Sequence, residues 1–224
     1  MIQTPIQTLK ISKPKLGIAC FGGCGVNTAK LLTRLDPEQY DHLYILAANT
    51  DARQLEQKFD RSSDKNLGLW SEEAKQLEIL QLGKKGEGPN SDQGDGAGGD
   101  PEIGRQATQE CEKEIKAFIE DKKALILVGG LGGGTGTGAL PLVAQYCLEV
   151  REDKPLAVVI MPFAREHRIP KALLARNQIV GMGIPTIVIY NEKLPDKGVT
   201  MDQAWDVINE SCLVPMLLNL KEMI

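Results

Sequence analysis

The densest chemical signal in the chain is Gly129–Gly138, which reads GGLGGGTGTG: seven glycines and two threonines in ten residues. Glycine weakens helices and strands alike, so a run this rich needs a use that offsets the loss. Glycine-rich backbone presents N–H donors at close range, and the Thr135 and Thr137 hydroxyls add two more. Such a set suits phosphate oxygens. Two further clusters are of the same kind. One is Gly22, Gly23 and Gly25; the other is Gly94, Gly96, Gly98 and Gly99. Fourteen of the 23 glycines thus lie in three short windows. A single glycine-rich turn reads equally well as a packing device. Three of them at matching positions point to one ligand.

These windows do not complete either of two common nucleotide motifs. A Walker A loop needs GxxxxGK[ST], and no glycine of the clusters is followed by that Lys-Ser/Thr pair. The dinucleotide fingerprint GxGxxG is met only in part, since Gly23-Cys24-Gly25-Val26-Asn27-Thr28 carries Thr at the third position. Asp51 stands roughly where a ribose-binding acid belongs, and equally where a helix N-cap belongs. An NAD-type oxidoreductase is therefore an alternative reading.

The elements that must position these loops alternate in type. Apolar runs at Leu16–Phe21, Leu43–Ala48, Ala124–Val128, Leu156–Met161 and Thr186–Tyr190 suit strands buried on both faces. Helical spacing marks Val26–Leu35, Ile103–Glu120, Gly138–Val150, Ile169–Val180 and a last stretch from Thr200 onward. Pro101 suits the start of the second of these helices, and Pro141 the first turn of the third. The alternation predicts an α/β fold, a Rossmann-like three-layer parallel sheet with helices on both faces. In such a sheet the strand-to-helix loops gather at the carboxyl ends of the strands, where ligands bind. Gly83–Gly99 interrupts the alternation with a long polar, glycine-rich stretch. Its second half runs directly into a helix start.

Bulk properties narrow the class. A net charge of −4 offers no basic field for nucleic acid. No apolar run approaches the roughly 18 residues of a membrane span, and the first fourteen residues lack a signal-peptide core. We therefore expect neither a nucleic-acid partner nor a membrane partner. Five cysteines with no CxxC pair, and only His42 and His167 beside them, make a zinc site unexpected. Reduced thiols in the cytoplasm are the simplest reading. Cys24, placed at a helix N-terminus, is expected to have some thiolate character.

Taken together, the loops resemble those of the FtsZ/tubulin family of assembling GTPases, bacterial FtsZ more than eukaryotic tubulin. GGLGGGTGTG is similar to the family signature GGGTG[ST]G. FGGCGVNTA at Phe21–Ala29, NTDA at Asn49–Ala52 and GAGGDPEIGR at Gly96–Arg105 resemble further family loops. So do MPFAREHR at Met161–Arg168 and YNEKLP at Tyr190–Pro195. The matches keep the family's order.

The resemblance implies a site for GTP or GDP, with Mg2+ bound through the nucleotide. Gly22, Gly23 and Gly25 would wrap the diphosphate, and Asn27 would reach guanine. Asn49 and Asp51 belong to the next loop. Ala97, Gly98 and Gly99 would lie near the γ-phosphate. Gly132, Gly133, Gly134, Thr135, Gly136, Thr137 and Gly138 would hold the α- and β-phosphates. Glu166 would bind ribose, with Arg168 nearby, and Asn191 would contact base or sugar. Trp205 would stack on guanine while Asn209 reads its edge.

The implied organisation is an extension over residues 1–14, a GTP-binding domain over 15–199 and a core helix over 200–224. The family's second domain and its catalytic acidic loop are not expected within these 224 residues. Hydrolysis would then need that loop from a partner subunit, either a second copy or a full-length homologue. A non-hydrolysing regulator that caps filaments of such a homologue is a further alternative.

Overall fold

Leu16–Phe21 is apolar at all but one position and becomes β1, buried at all six residues. Burial on both sides requires covering layers above and below. The computed structural model describes residues 15–36, 38, 40–60, 62, 67, 70, 76–83, 96–163 and 167–190. Within them the order is β1 (Leu16–Phe21), α1 (Gly22–Leu32), β2 (Leu43–Asn49), α2 (Ala52–Lys58) and β3 (Leu77–Gln81). Then follow α3 (Pro101–Glu110), α4 (Glu112–Glu120), β4 (Ala124–Gly130), α5 (Thr135–Val150), β5 (Leu156–Met161), α6 (Ile169–Gly181) and β6 (Thr186–Tyr190). The six strands pair in parallel in the order β3-β2-β1-β4-β5-β6.

Alternation along each strand divides the core in two. Ala19, Phe21, Leu46, Leu127, Val159 and Met161 face the layer that holds Ile115, Phe118, Leu140, Val143, Ala172 and Ile179 of α4, α5 and α6. Ile18, Cys20, Ile45, Val128 and Ile160 face the opposite way, in the cluster with Val26, Ala29 and Leu32 of α1 and Leu55 of α2. Trp70 is fully buried in this second cluster, and its indole N–H donates to the Thr33 carbonyl at 3.0 Å. Among the described residues no helix is long and apolar enough to cross a membrane.

The sheet is the parallel one expected from the alternation, with four differences of detail. β3 was not expected. Its sequence LEILQ mixes polar with apolar residues, because an edge strand is only half covered. Ile103–Glu120 is two helices, broken at Cys111 (φ −103°, ψ 20°), whose thiol donates to the Gln81 carbonyl at 3.5 Å. α1 begins at Gly22, four residues before the expected start. α5 begins at Thr135, so Pro141 falls on its seventh residue instead of its first turn. Pro141 gives no N–H to the Thr137 carbonyl, and glycine-rich local propensity would not place a helix start inside the motif. The tertiary contacts that hold it there involve α3. A Cβ on Gly138 would collide with the Pro101 carbonyl and lie 2.5 Å from the Arg105 nitrogen. A Cβ on Gly104 would lie 2.5 Å from the Gly134 carbonyl. The two helices meet backbone to backbone.

The amino ends of the strands carry a cluster of ions and rings. Lys122 is buried, with its ammonium 4.3 Å from the Phe118 ring centroid and 4.8 Å from that of Tyr44. Asp121 pairs with Lys122 and with Lys15, the latter at 2.9 Å. Burial pushes the Asp121 carboxyl upward, but the hydrogen bonds from Lys122 and Lys15 outweigh it and hold it below the usual carboxylate range.

G138A is expected to lower unfolding stability by about 3 kcal/mol, because backbone cannot yield as a flexible side chain can. Urea denaturation checks this. Asp121, with its lowered value, contributes stability above its unfolded pKa of about 3.9 and loses it as pH falls through the folded value. The difference in urea midpoint between the native chain and D121N is therefore expected to shrink from about pH 6 to about pH 3.

Candidate functional site

β1 and β4 are neighbours whose outgoing helices cover opposite faces of the sheet. Their carboxyl ends therefore open a crevice at the point where the strand order reverses. β1 leads into α1 without a loop, because Gly22 turns the chain at φ +72°. β4 leads through residues 131–134 into α5. Neither helix has a side-chain N-cap: the cap positions are Phe21 and Gly134, and neither first turn contains an acid. The two helices at the rim of this crevice differ. Asp51 caps α2, accepting from the Gln54 N–H at 2.9 Å, and Asp100 caps α3, accepting from the Glu102 N–H at 2.8 Å. The first N–H groups of a helix have no partner within it and carry a partial positive charge. A Cβ on Gly22 would lie 2.9 Å from the Gly136 nitrogen, so the two uncapped ends abut. Such a pair of donor sets is suited to one polyanion.

The residues singled out in the sequence divide by what surrounds them. Gly25 packs on β1 and β4, with room for a Cβ only 2.8 Å from the Cys20 carbonyl carbon. Gly136 packs on the Gly130 carbonyl, and Gly138 on α3 as above. Gly134 lies on the buried Ala97 and on Asp100. Gly132 (φ +98°) turns beside Pro162 and the Cβ of Arg168, and its N–H donates to Thr137 Oγ1 at 2.8 Å. Among the described residues nothing lies within 4 Å of where a side chain on Gly133 or Gly98 would start, so their backbone is open there. Gly23 lies beside the Gln54 carboxamide. Gly98 (φ +54°) and Gly99 (φ +80°) form a tight turn closed by the Asp100 N–H to the Ala97 carbonyl at 2.8 Å.

Polar side chains at the crevice are tied to one another. Thr135 Oγ1 and Thr50 Oγ1 are hydrogen-bonded at 2.6 Å and buried. Of these two hydroxyls, one proton is used between them and one is left to donate; Thr137 only accepts, so its O–H is also left. Asn49 Nδ2 donates to Gln54 Oε1 at 2.6 Å. Asn27 Oδ1 is buried with no hydrogen-bond partner among the described residues. An amide oxygen in that state calls for a donor from a ligand or from another part of the chain. Arg168, exposed, stands at the N-cap position of α6. Glu166, Asn191, Trp205 and Asn209 lie outside the described residues. No group of three His, Cys, Asp or Glu side chains is placed to hold a metal ion among the described residues.

The structure brings in three residues that the sequence reading did not single out. Thr50 sits inside NTDA and Gln54 just beyond it, so the motif itself could have flagged them. Lys171, whose ammonium donates to the Gly99 carbonyl at 2.5 Å, has no local signal.

Cys24 requires a correction. Its side chain turns from the helix axis toward Gly130, where an added Cβ would lie 2.9 Å from Cys24 Cβ and 3.5 Å from its sulfur. Burial pushes its thiol up to about 12, so the expected thiolate character is not found. Alkylation of Cys24 at about pH 8 is expected to be at least ~100-fold slower than that of a free thiol, by peptide mass spectrometry.

Fold and crevice place the chain among doubly wound α/β domains with a ligand edge at the topological switch point. More specifically, the chain belongs to the Tubulin/FtsZ family, whose GTPase-domain model matches residues 15–198. Cell division protein FtsZ 1 of Methanocaldococcus jannaschii is 35% identical over 191 residues, which is 84% of this chain and 46% of that protein. Mitochondrial division protein fszB of Dictyostelium discoideum is 27% identical over 210 residues, covering 91% of this chain and 50% of that protein. A solved M. jannaschii FtsZ dimer, described as empty, superposes with a TM-score of 0.71 at 31% identity, over 96% of this chain and 57% of that one. CetZ2 from Haloferax volcanii, solved as a GTPγS-bound protofilament, shares the fold with a TM-score of 0.72 at 22% identity, over 92% of this chain and 58% of that one. The chain spans about half the length of the curated relatives it matches.

Proposed function

We propose that this chain binds GTP and GDP, as the nucleotide-binding part of a filament-forming protein of the cytoskeletal or cell-division type. The observation that carries the reading is the abutment of two uncapped helix N-termini, α1 and α5, over glycine backbone. In this reading the backbone from Gly22 to Gly25 and from Gly132 to Thr137 donates to the α- and β-phosphates. The open turn at Gly98 and Gly99 meets the γ-phosphate. Asn27 Oδ1, buried and unpartnered among the described residues, is suited to accept from a guanine ring N–H. Glu166, Asn191, Trp205 and Asn209 are assigned to sugar and base by the family resemblance alone. Mg2+ enters through phosphate oxygens.

Among the described residues, Asp51 and Asp100, the aspartates that adjoin these loops, are both engaged as helix caps. This supports a division of labour in which a neighbouring subunit supplies the carboxylate that activates water. Self-association or pairing with a full-length homologue would provide it, and the free thiols at Cys20, Cys24, Cys111 and Cys147 support a cytoplasmic setting.

Calorimetric titration tests the binding. GTP and GDP are expected to bind at least ~10-fold more tightly than ATP, a difference of about 1.4 kcal/mol. Equal affinities, or no binding of guanine nucleotides, would overturn the reading. G133A is expected to weaken both guanine nucleotides about 10-fold while leaving the unfolding midpoint unchanged, because its methyl group enters open space.

A further inference from the structure

Lys171 stands in the first turn of α6, where its charge opposes the helix dipole. That turn contains no acid to compensate it. Among the described residues no carboxylate pairs with its ammonium. Its one hydrogen bond crosses from α6 to the turn before α3, to the Gly99 carbonyl at 2.5 Å. A single bond to a neutral carbonyl at an exposed site does not outweigh the side-chain rotamer freedom it freezes together with the dipole penalty. The position is therefore poorly explained by stability.

The turn it holds has a specific shape. Gly98 and Gly99 both have positive φ, and the Asp100 N–H closes the turn onto Ala97. Ala97 is buried against Gly134, and the Asp100 side chain caps α3, so both ends of the turn are fixed. The middle is not: among the described residues nothing lies within 4 Å of the Gly98 side-chain position. Lys171 is the contact that fixes the Gly99–Asp100 peptide plane from outside. An ammonium has three donors, and this bond occupies one.

We propose that Lys171 is a positioning residue that sets the preference for a nucleoside triphosphate over a diphosphate. It holds the Ala97–Asp100 turn so that the Gly98 and Gly99 N–H groups are offered to the crevice, and its remaining donors and charge add to the field met by a terminal phosphate. The inference rests on the guanine-nucleotide reading above. It links α6 to the turn through one side chain.

The test compares the native chain with K171A and K171R, titrated with GDP and with GTPγS. K171A is expected to lose about 5- to 10-fold in GTPγS affinity, with GDP affinity unchanged within about 2-fold, or roughly 1 to 1.4 kcal/mol on the triphosphate alone. K171R is expected to retain most of the preference. Without nucleotide, amide exchange at residues 98–100 is expected to quicken in K171A and not in K171R, with the unfolding midpoint unmoved. Equal loss for both nucleotides, or no loss for either, overturns the inference while the guanine-nucleotide reading stands. Unchanged exchange in K171A also overturns it. Failure of the native chain to bind either nucleotide overturns both.

Discussion

The close approach of backbone to backbone around the start of α5 is the constraint on which the rest of the structure depends. Gly104 and Gly138 let α3 and α5 touch without side chains between them. Gly22 and Gly136 do the same for α1 and α5, and Gly136 rests on the carbonyl that ends β4. Three helices and the end of the sheet converge in a space that one methyl group would fill. Local propensity disfavours glycine in all these places, so tertiary contact has overridden it. The result is that backbone N–H groups share the lining of the crevice with the side chains of Asn27, Thr50, Thr135 and Thr137.

That convergence also divides the two edges of the sheet by character. The carboxyl edge is left with open backbone, uncapped helix ends and a buried amide oxygen. The amino edge is tied by Lys15, Asp121 and Lys122 between aromatic rings. Ion pairs of this kind add little at an exposed surface but more where a lysine is buried and must be paired. Stabilising charge is thus placed away from the edge where a polyanion would have to compete with it.

Much of the fold was legible because a buried parallel strand leaves a continuous apolar run. All five such runs became strands. β3 was missed because one of its faces is open and its sequence mixes polar with apolar residues. The break at Cys111 was missed because the apolar spacing continues through it: Ile103 and Ala107 precede it, Ile115 and Phe118 follow it. Of the site, the glycine loops were legible as a group, but their separate roles were not. Gly133 and Gly138 lie in one motif five residues apart; one faces open space and the other faces α3. Asp51 reads in the sequence either as a ribose acid or as a helix cap, and the bond from the Gln54 N–H at 2.9 Å shows that it serves as the cap of α2.

The sequence by itself determined five of the six strands, the order of the loops and the family, because hydrophobic periodicity and a dense motif are properties of neighbouring residues. It also carried Thr135, Thr137, Asn27 and Asn49 of the crevice. Only the tertiary structure decided which glycines pack and which are open, that the Cys24 thiol is held protonated by burial, and that Lys171 reaches the Gly99 carbonyl. The reason is physical. Burial and hydrogen bonding between residues 72 positions apart depend on which helices cross, and no local pattern in the chain records that crossing.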